Sequence, residues 1–145
     1  MQLEGSDVNC TLAMLCSEAA SKLDRFAPQA LANTCLGLTM QRVRNGTLLS
    51  AIADQVVHQV KAWKGQDITY NLAEIVWAHA HMGVKHKRLL EVVAEVLPHT
   101  VRGVTDWSLC ALVWSYVKLD TDRAYGEFRR QLVAEVFLRG LDAQA

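Results

Sequence analysis

The sequence has no net charge, very little proline and no long apolar run. Its 145 residues include 15 Lys plus Arg and 15 Asp plus Glu, so no global field attracts nucleic acid or an anionic membrane. Only two prolines occur, which suits a mostly helical chain because proline interrupts helices. No uninterrupted stretch of about 18 apolar residues is present, so we expect no membrane span.

Motifs for catalysis, metal binding and cofactor binding are also missing. The sequence contains no Cys–His cluster, glycine-rich phosphate loop, GxSxG motif or paired-carboxylate motif. His79 and His81 would lie about 200° apart around a helix, which is the wrong geometry for one metal ion. Repeat periodicity explains Glu91 and Glu95 better than a catalytic dyad does. We therefore predict a protein that is not an enzyme and holds no metal or cofactor.

The four cysteines form no CxxC pair, and we predict that they are reduced thiols in or near the core. The N-terminus carries acidic residues and no Lys or Arg before Lys22. It therefore fits neither a secretory signal nor an Arg-rich transit peptide. Either the protein is not targeted, or a targeting segment is not part of this sequence.

One block of sequence recurs three times at a spacing of about 40 residues. Leu31, Leu72 and Leu109 align at its start, and the blocks cover residues 31–40, 72–83 and 109–120. A charged gap and a second apolar segment follow each block, at residues 48–60, 89–97 and 128–138. Two helical segments per repeat of this length are typical of an α-solenoid.

The repeat predicts an all-α fold in one domain, residues 1–145, with about seven helices and no strands. We expect about three and a half stacked antiparallel helix hairpins, which together form an α-solenoid. The predicted boundaries are a half unit at 8–25 and full units at 26–64, 65–104 and 105–140. In each full unit the recurring block forms the first helix and the apolar segment forms the second.

Several short motifs resemble one repeat family. Pro28-Gln29 precedes Leu31-Ala32-Asn33-Thr34, and Trp77-Ala78 and Trp114-Ser115 supply an aromatic-small step. Over residues 26–138 the chain resembles octotricopeptide repeats and the related helical repeats of FAST-kinase-like and RAP-domain proteins. The resemblance implies RNA binding in a mitochondrion or chloroplast, with a role in RNA maturation or translation.

If the first helices line a concave face, one stripe of each helix could read the edges of unstacked RNA bases. Small and hydrogen-bonding residues dominate this stripe. The base-reading candidates are Asn33, Asn71, Glu74, His81, Ser108, Ser115 and Lys118. The alternative interpretation is an ordinary solvated helix face.

The tryptophans are the aromatic candidates for base stacking. Trp77 and Trp114 hold aligned positions beside valines, which predicts a place in the core between repeats. Trp63 and Trp107 lie near predicted helix ends and could be partly exposed, and Trp107 is the better candidate for a surface contact.

Basic residues gather where the first and second helices join. Stacked units would place these joints along one edge, where the residues could contact RNA phosphates. The phosphate-contact candidates are Arg42, Arg44, Lys85, Lys87, Arg88, Arg123, Arg129 and Arg130. The alternative is that charged loops only keep this edge solvated.

Two functions remain open. The first is a non-catalytic organellar protein that binds single-stranded or ribosomal RNA, which the resemblance and the basic joints favour. The second is a protein-interaction scaffold or small structural subunit of a large organellar assembly, without direct RNA contact. Zero net charge and an apolar content of 51% favour the second. The two merge if the protein sits on RNA within a ribonucleoprotein, where protein partners are expected.

Overall fold

A computed structural model describes residues 5–141, which form seven α-helices and no strand. This confirms the predicted all-α class. No helix in the described part of the chain is long and apolar enough to span a membrane. The helices are α1 (Gly5–Ala20), α2 (Pro28–Met40), α3 (Gly46–Gln59), α4 (Leu72–Met82), α5 (Lys87–Val96), α6 (Asp106–Leu119) and α7 (Gly126–Arg139).

The helices stack as hairpins in two layers. In the first layer α4 packs between α2 and α6, and in the second layer α3 packs between α1 and α5. Helix α7 packs against α6 and the 3₁₀ turn Val101–Gly103. We call α2, α4 and α6 the first helices, and α1, α3, α5 and α7 the second helices. This arrangement is the stack of helix hairpins that the repeat predicts.

Side-chain caps begin three of the helices. Asn45 caps α3 by accepting a 2.9 Å hydrogen bond from Leu48 N–H. Thr105 caps α6 by accepting from Ser108 N–H. His86 caps α5, with Nδ1 accepting from Leu89 N–H. These caps place the residues of the joints at fixed positions.

The start of α4 is irregular. Asp67 begins a π-helical turn, Asp67–Asn71, that leads into the helix. Such wide turns insert a residue relative to regular helix phase. Tyr70 lies on this turn and is exposed, next to the first helical residues.

The apolar core lies between the two layers and runs through all the units. It includes Leu31, Leu49, Ile75, Leu90, Leu112 and Leu132, which are all almost fully buried. Two of the cysteines, Cys16 and Cys35, are buried, whereas Cys10 and Cys110 are exposed, so the core prediction is correct for only half of them. Burial, and then the charge of Glu74, raises the pKa of the Cys35 thiol to about 12.

Two buried polar side chains join consecutive units at equivalent positions of the repeat. His79 Nε2 lies 2.8 Å from the Leu49 carbonyl oxygen, and Tyr116 Oη donates a 2.7 Å hydrogen bond to the Leu90 carbonyl. Each contact joins a first helix to the second helix of the preceding unit. We call them the inter-unit hydrogen bonds. Burial, the largest influence, lowers the pKa of His79.

Candidate nucleic-acid interface

The first helices leave one narrow stripe at the surface. In α4 and its preceding turn, Tyr70, Trp77 and His81 are exposed or half-buried, whereas residues 71–76 and 78–80 are buried. Spacings of seven and eleven residues place all three side chains on one face of the helix. The neighbouring first helix α6 presents Trp107 and Trp114 at the positions equivalent to Tyr70 and Trp77.

These side chains are in contact across the two helices. The Trp107 ring centroid lies 5.6 Å from that of Tyr70 and 6.0 Å from that of Trp77. His81 lies 5.1 Å from Trp77 and 6.4 Å from Trp114, and Lys118 Nζ lies 4.9 Å above the Trp114 ring. We call this set the aromatic strip: Tyr70, Trp77, His81, Trp107, Trp114 and Lys118.

Three rings of the aromatic strip are substantially open to solvent, with exposures of 40% for Tyr70, 44% for Trp107 and 42% for Trp114. The prediction of a core position is therefore wrong for Trp114, and Trp77 is only half-buried against the core. Trp107 is exposed as predicted. Trp63 is instead buried, because the chain folds its helix end onto the core.

Four of the predicted base-reading residues do not share the exposed stripe. Asn71, Glu74, Ser108 and Ser115 are buried, so the expectation of one common solvated face is wrong for them. The reason is that α4 lies between α2 and α6, and α6 packs against both α4 and α7. Local bonds satisfy three of the four: Asn71 Nδ2 donates to Asp67, Ser115 Oγ donates to the Ala111 carbonyl, and Ser108 is bonded to Thr105. The remaining candidates Asn33, His81 and Lys118 are exposed.

Glu74 differs from the other three buried candidates. It lies between Tyr70 and Trp77 in the sequence but is buried, with 5% of its surface accessible. No donor in the described part of the chain hydrogen-bonds to its carboxylate, and burial raises its pKa. Its carboxylate lies close enough to Cys35 of α2 for its charge to raise the pKa of that thiol.

The joints between first and second helices, at residues 41–45, 83–86 and 120–125, lie beside one another. Arg44 Nε of the first joint donates a 2.9 Å hydrogen bond to the Met82 carbonyl at the second. Lys85 of the second joint forms a 2.8 Å ion pair with Asp122 of the third. That hydrogen bond lowers the pKa of Asp122. We call this surface the basic edge.

Most of the predicted phosphate contacts already have internal partners. Lys87 and Arg88 both pair with Glu91, at 3.9 and 2.8 Å. Arg129 lies 3.7 Å from Asp120, and Arg130 pairs with Glu127 at 2.6 Å. Arg44 and Lys85 join the joints to one another.

Arg42 and Arg123 are exposed and form no ion pair within the described residues. Both have left-handed backbone, with φ of 54° and 55°. Helix α4 uses Gly83, with φ of 69°, at the equivalent end. An arginine in this conformation costs energy that glycine avoids. Because they are exposed and form no ion pair within the described residues, the guanidinium groups of Arg42 and Arg123 are the most available cations of the basic edge.

Apolar side chains also remain exposed at the two ends of the stack. A groove of about 450 Å³ between α6 and α7 is lined by Val113, Val117, Val133 and Phe137, with two arginines at its rim. A second groove of about 300 Å³ lies between α1 and α2 at the other end. No group of His, Cys, Asp or Glu side chains among the described residues could hold a metal ion.

No protein-family model, curated protein or solved structure matches this chain. The aromatic strip, the basic edge and the apolar ends are the three surfaces of the protein that bear on its function.

Proposed function

We propose that this protein is a non-catalytic helical-repeat protein that binds single-stranded RNA, with bases stacked on the aromatic strip. The observation that carries the proposal is the contiguous set of exposed rings on α4 and α6. Stacking of a base on an aromatic side chain contributes about 1–3 kcal/mol and tolerates any sequence, since every base has a flat face. Buried rings would serve the fold, but rings at 40% exposure or more offer faces to a ligand.

The basic edge supports a path for the backbone of the same RNA. His81 and Lys118 lie in the last turns of α4 and α6, directly before the joints. A strand with its bases on the aromatic strip would bring its phosphates towards Arg42 and Arg123 at the joints. Resemblance to octotricopeptide repeats supports a mitochondrial or chloroplast location, and a role in RNA maturation, translation or a ribonucleoprotein.

The test measures binding of a short labelled single-stranded RNA by fluorescence anisotropy at low salt. Trp107→Ala and Trp114→Ala should each weaken binding by roughly 5- to 150-fold, the equivalent of about 1–3 kcal/mol per stacked base. Phe137→Ala is the control, because it removes an aromatic ring that is even more exposed, at 62%, and lies outside the aromatic strip. Absence of RNA binding, or equal losses in all three variants, would refute the proposal.

The phosphate path has its own measurement, which is the slope of log affinity against log salt concentration. Arg42→Glu and Arg123→Glu should each lower the slope, because neither arginine forms an ion pair with another residue that the structure describes. Arg88→Glu should change it less, since Arg88 is already paired with Glu91. A larger effect at Arg88 would contradict this order.

A second candidate function is a protein-interaction scaffold, and the apolar ends of the stack favour it. Met14, Leu15, Phe137 and Leu138 are all more than half exposed. Such patches mark interaction surfaces. In native extract treated with ribonuclease, Phe137→Asp should release the protein from a large complex if a partner occupies the α6–α7 groove. Unchanged migration of Phe137→Asp would argue against the scaffold.

A further inference from the structure

We propose that the groove between α6 and α7 binds one amphipathic α-helix of a partner protein, which carries acidic residues beside its apolar face. The proposal rests on the scaffold candidate and names the kind of partner that the scaffold takes. It is independent of RNA binding, because no residue of the aromatic strip lines the groove.

The groove has the residue types of an interface between units. Its apolar lining residues are Val113 and Val117 of α6 and Val133 and Phe137 of α7. Val117 and Phe137 are 58% and 62% exposed. The aligned positions of the preceding unit are all fully buried, and they are Val76, Ala80, Val93 and Leu97.

The units differ in what packs against them. In the first layer α2 packs against α4 and α4 against α6, whereas no described first helix follows α6. Positions that an interior unit buries therefore remain apolar in the last unit and are open to solvent. Exposed apolar surface of this kind marks an interaction site. Because an α-helix packs beyond α4 in the interior of the stack, a helix is the shape that fits the groove beyond α6.

The groove is long enough for about three turns of a helix. On α7 its lining residues run from Gly126 to Phe137 at spacings of three or four residues. That stretch is about 16 Å long at the rise of an α-helix. A partner helix laid along it would contact the groove through apolar side chains at positions i, i+3 or i+4, and i+7.

Two arginines give the groove a charge preference. Arg129 and Arg130 line it, and no acid is among the described residues that do. The aligned positions in α5 are Leu89 and Leu90, so the cations are specific to the last unit. Arg130 pairs with Glu127 where both side chains are exposed, and such a pair contributes little. A carboxylate of a partner can therefore replace Glu127.

A second copy of this chain matches the arginines less well. The apolar groove at the other end of the stack, between α1 and α2, has no acid among the described residues that line it. A head-to-tail contact between the two grooves would leave Arg129 and Arg130 without a carboxylate from the opposing groove. A separate acidic partner supplies that carboxylate.

Two stapled, fluorescently labelled helices of about 16 residues, or about four turns, serve as probes. Both carry leucines on one face, and beside the leucines one carries glutamates where the other carries lysines. Anisotropy measures their binding to the full chain at low salt. The glutamate helix should bind about tenfold more tightly than the lysine helix, because it meets two cations. Arg130→Glu should reduce that preference to about twofold or less.

Phe137→Ala tests whether the probe lies in the groove. It removes apolar surface without changing charge and should weaken binding of the glutamate helix by about tenfold. Leu15→Ala is the matched control, because Leu15 is 60% exposed and lines the groove at the other end. Both side chains are exposed, and circular dichroism verifies that the helices of the variants are intact. The comparison of the two probes on the wild type needs no variant.

The outcomes separate this proposal from the functions described above. Equal affinity for the two probes, or equal losses in Phe137→Ala and Leu15→Ala, would overturn it. A wild-type dimer that Phe137→Ala dissociates in analytical ultracentrifugation would assign the groove to a second copy and would also overturn it. If Phe137→Asp still releases the native complex in those cases, the scaffold stands with a different occupant. RNA binding that depends on Trp107 and Trp114 stands whatever the probes show.

Discussion

Helices α4 and α7 show how differently the fold uses an interior helix and an end helix. Eight of the eleven residues of α4 are buried, from Leu72 to Ala80. Only Phe128 and Leu132 are buried among the fourteen residues of α7. Helix α4 has neighbours on both sides in its layer, whereas α7 packs mainly on α6. An interior helix therefore exposes only one stripe of side chains to solvent. An end helix exposes apolar side chains over most of one face.

The difference assigns different chemistry to the two surfaces. On α4 the remaining stripe carries Tyr70, Trp77 and His81, which contact the rings of α6 and form an ordered surface. On α7 the exposed residues include Val133, Phe137 and Leu138, around a groove. Flat rings in contact suit stacked bases, and an apolar groove suits a protein segment.

The largest expected effect is on stability and tests the contrast directly. Ile75→Ala removes a fully buried side chain from the centre of α4 and should lower the free energy of unfolding by about 2–5 kcal/mol. Val133→Ala, in the exposed part of α7, should cost less than about 1 kcal/mol. Urea denaturation measures both. Similar losses would mean that α7 belongs to the core as much as α4 does.

A second prediction concerns what holds α7 in place. The Arg139 guanidinium joins the end of α7 to the segment before α6. Loss of its hydrogen bonds should lower the free energy needed to open the end of α7 by about 2 kcal/mol. Its acceptors are the carbonyls of Val101, Arg102 and Val104 and the carboxylates of Asp106 and Glu135.

Hydrogen exchange measures the effect of Arg139→Ala. Amides of α7 should exchange faster while those of α4 keep their protection, because only the end helix is released. Arg130→Ala is the control, since its ion pair with Glu127 is exposed and contributes little. Faster exchange throughout the chain would show instead that α7 opens only with the whole fold.

The sequence predicted the architecture well because two aligned apolar segments recur in every unit. It predicted the exposure of particular side chains less well. Hydrophobic periodicity identifies one buried face, but α4 and α6 each pack against more than one helix, so Asn71, Ser108 and Ser115 are buried as well. Trp114 matches Trp77 in sequence, yet no further described first helix covers it. Its exposure depends on its place in the stack.

The sequence itself contains one signal of the aromatic strip. Tyr70 and Trp107 have the same spacing as the aligned leucines Leu72 and Leu109, so an aromatic position recurs at the start of two units. The π-helical turn that carries Tyr70 has no clear sequence signature. The burial of Glu74 likewise depends on three-dimensional packing, which periodicity does not describe.

A third prediction concerns the inter-unit hydrogen bonds. Tyr116→Phe removes the hydroxyl that donates to the Leu90 carbonyl and should cost about 1 kcal/mol, because the ring itself still packs. Tyr125→Phe is the matched control, since its hydroxyl is 3.4 Å from the Lys87 carbonyl at an exposed site. Equal losses of stability in urea for the two variants would contradict a particular stabilising role for the hydrogen bond of Tyr116.

The smallest effect is a dependence of stability on pH. Burial lowers the pKa of His79 in the folded state below its unfolded value of about 6.5. The unfolded chain therefore binds the proton more readily, and the free energy of unfolding should fall as the pH drops from 7.5 to 6. Glu74, whose pKa is raised, acts with the opposite sign and at lower pH.

Urea midpoints at the two pH values measure the His79 effect. His99→Gln is the control, because His99 is exposed and its loss should leave the pH dependence in place. His79→Gln should reduce that dependence. A wild-type midpoint that does not change between pH 7.5 and 6 would contradict the prediction.

The inter-unit hydrogen bonds also determine how the stack would respond to force. The positions of His79 and Tyr116 correspond to Leu38 in α2, which has no side-chain donor to reach back to α1. Under tension along the stack, the later boundaries share the load between packing and a buried polar bond. The boundary at α1 has no equivalent buried hydrogen bond among the described residues and depends on packing, mainly against α3, so the stack should begin to unravel there.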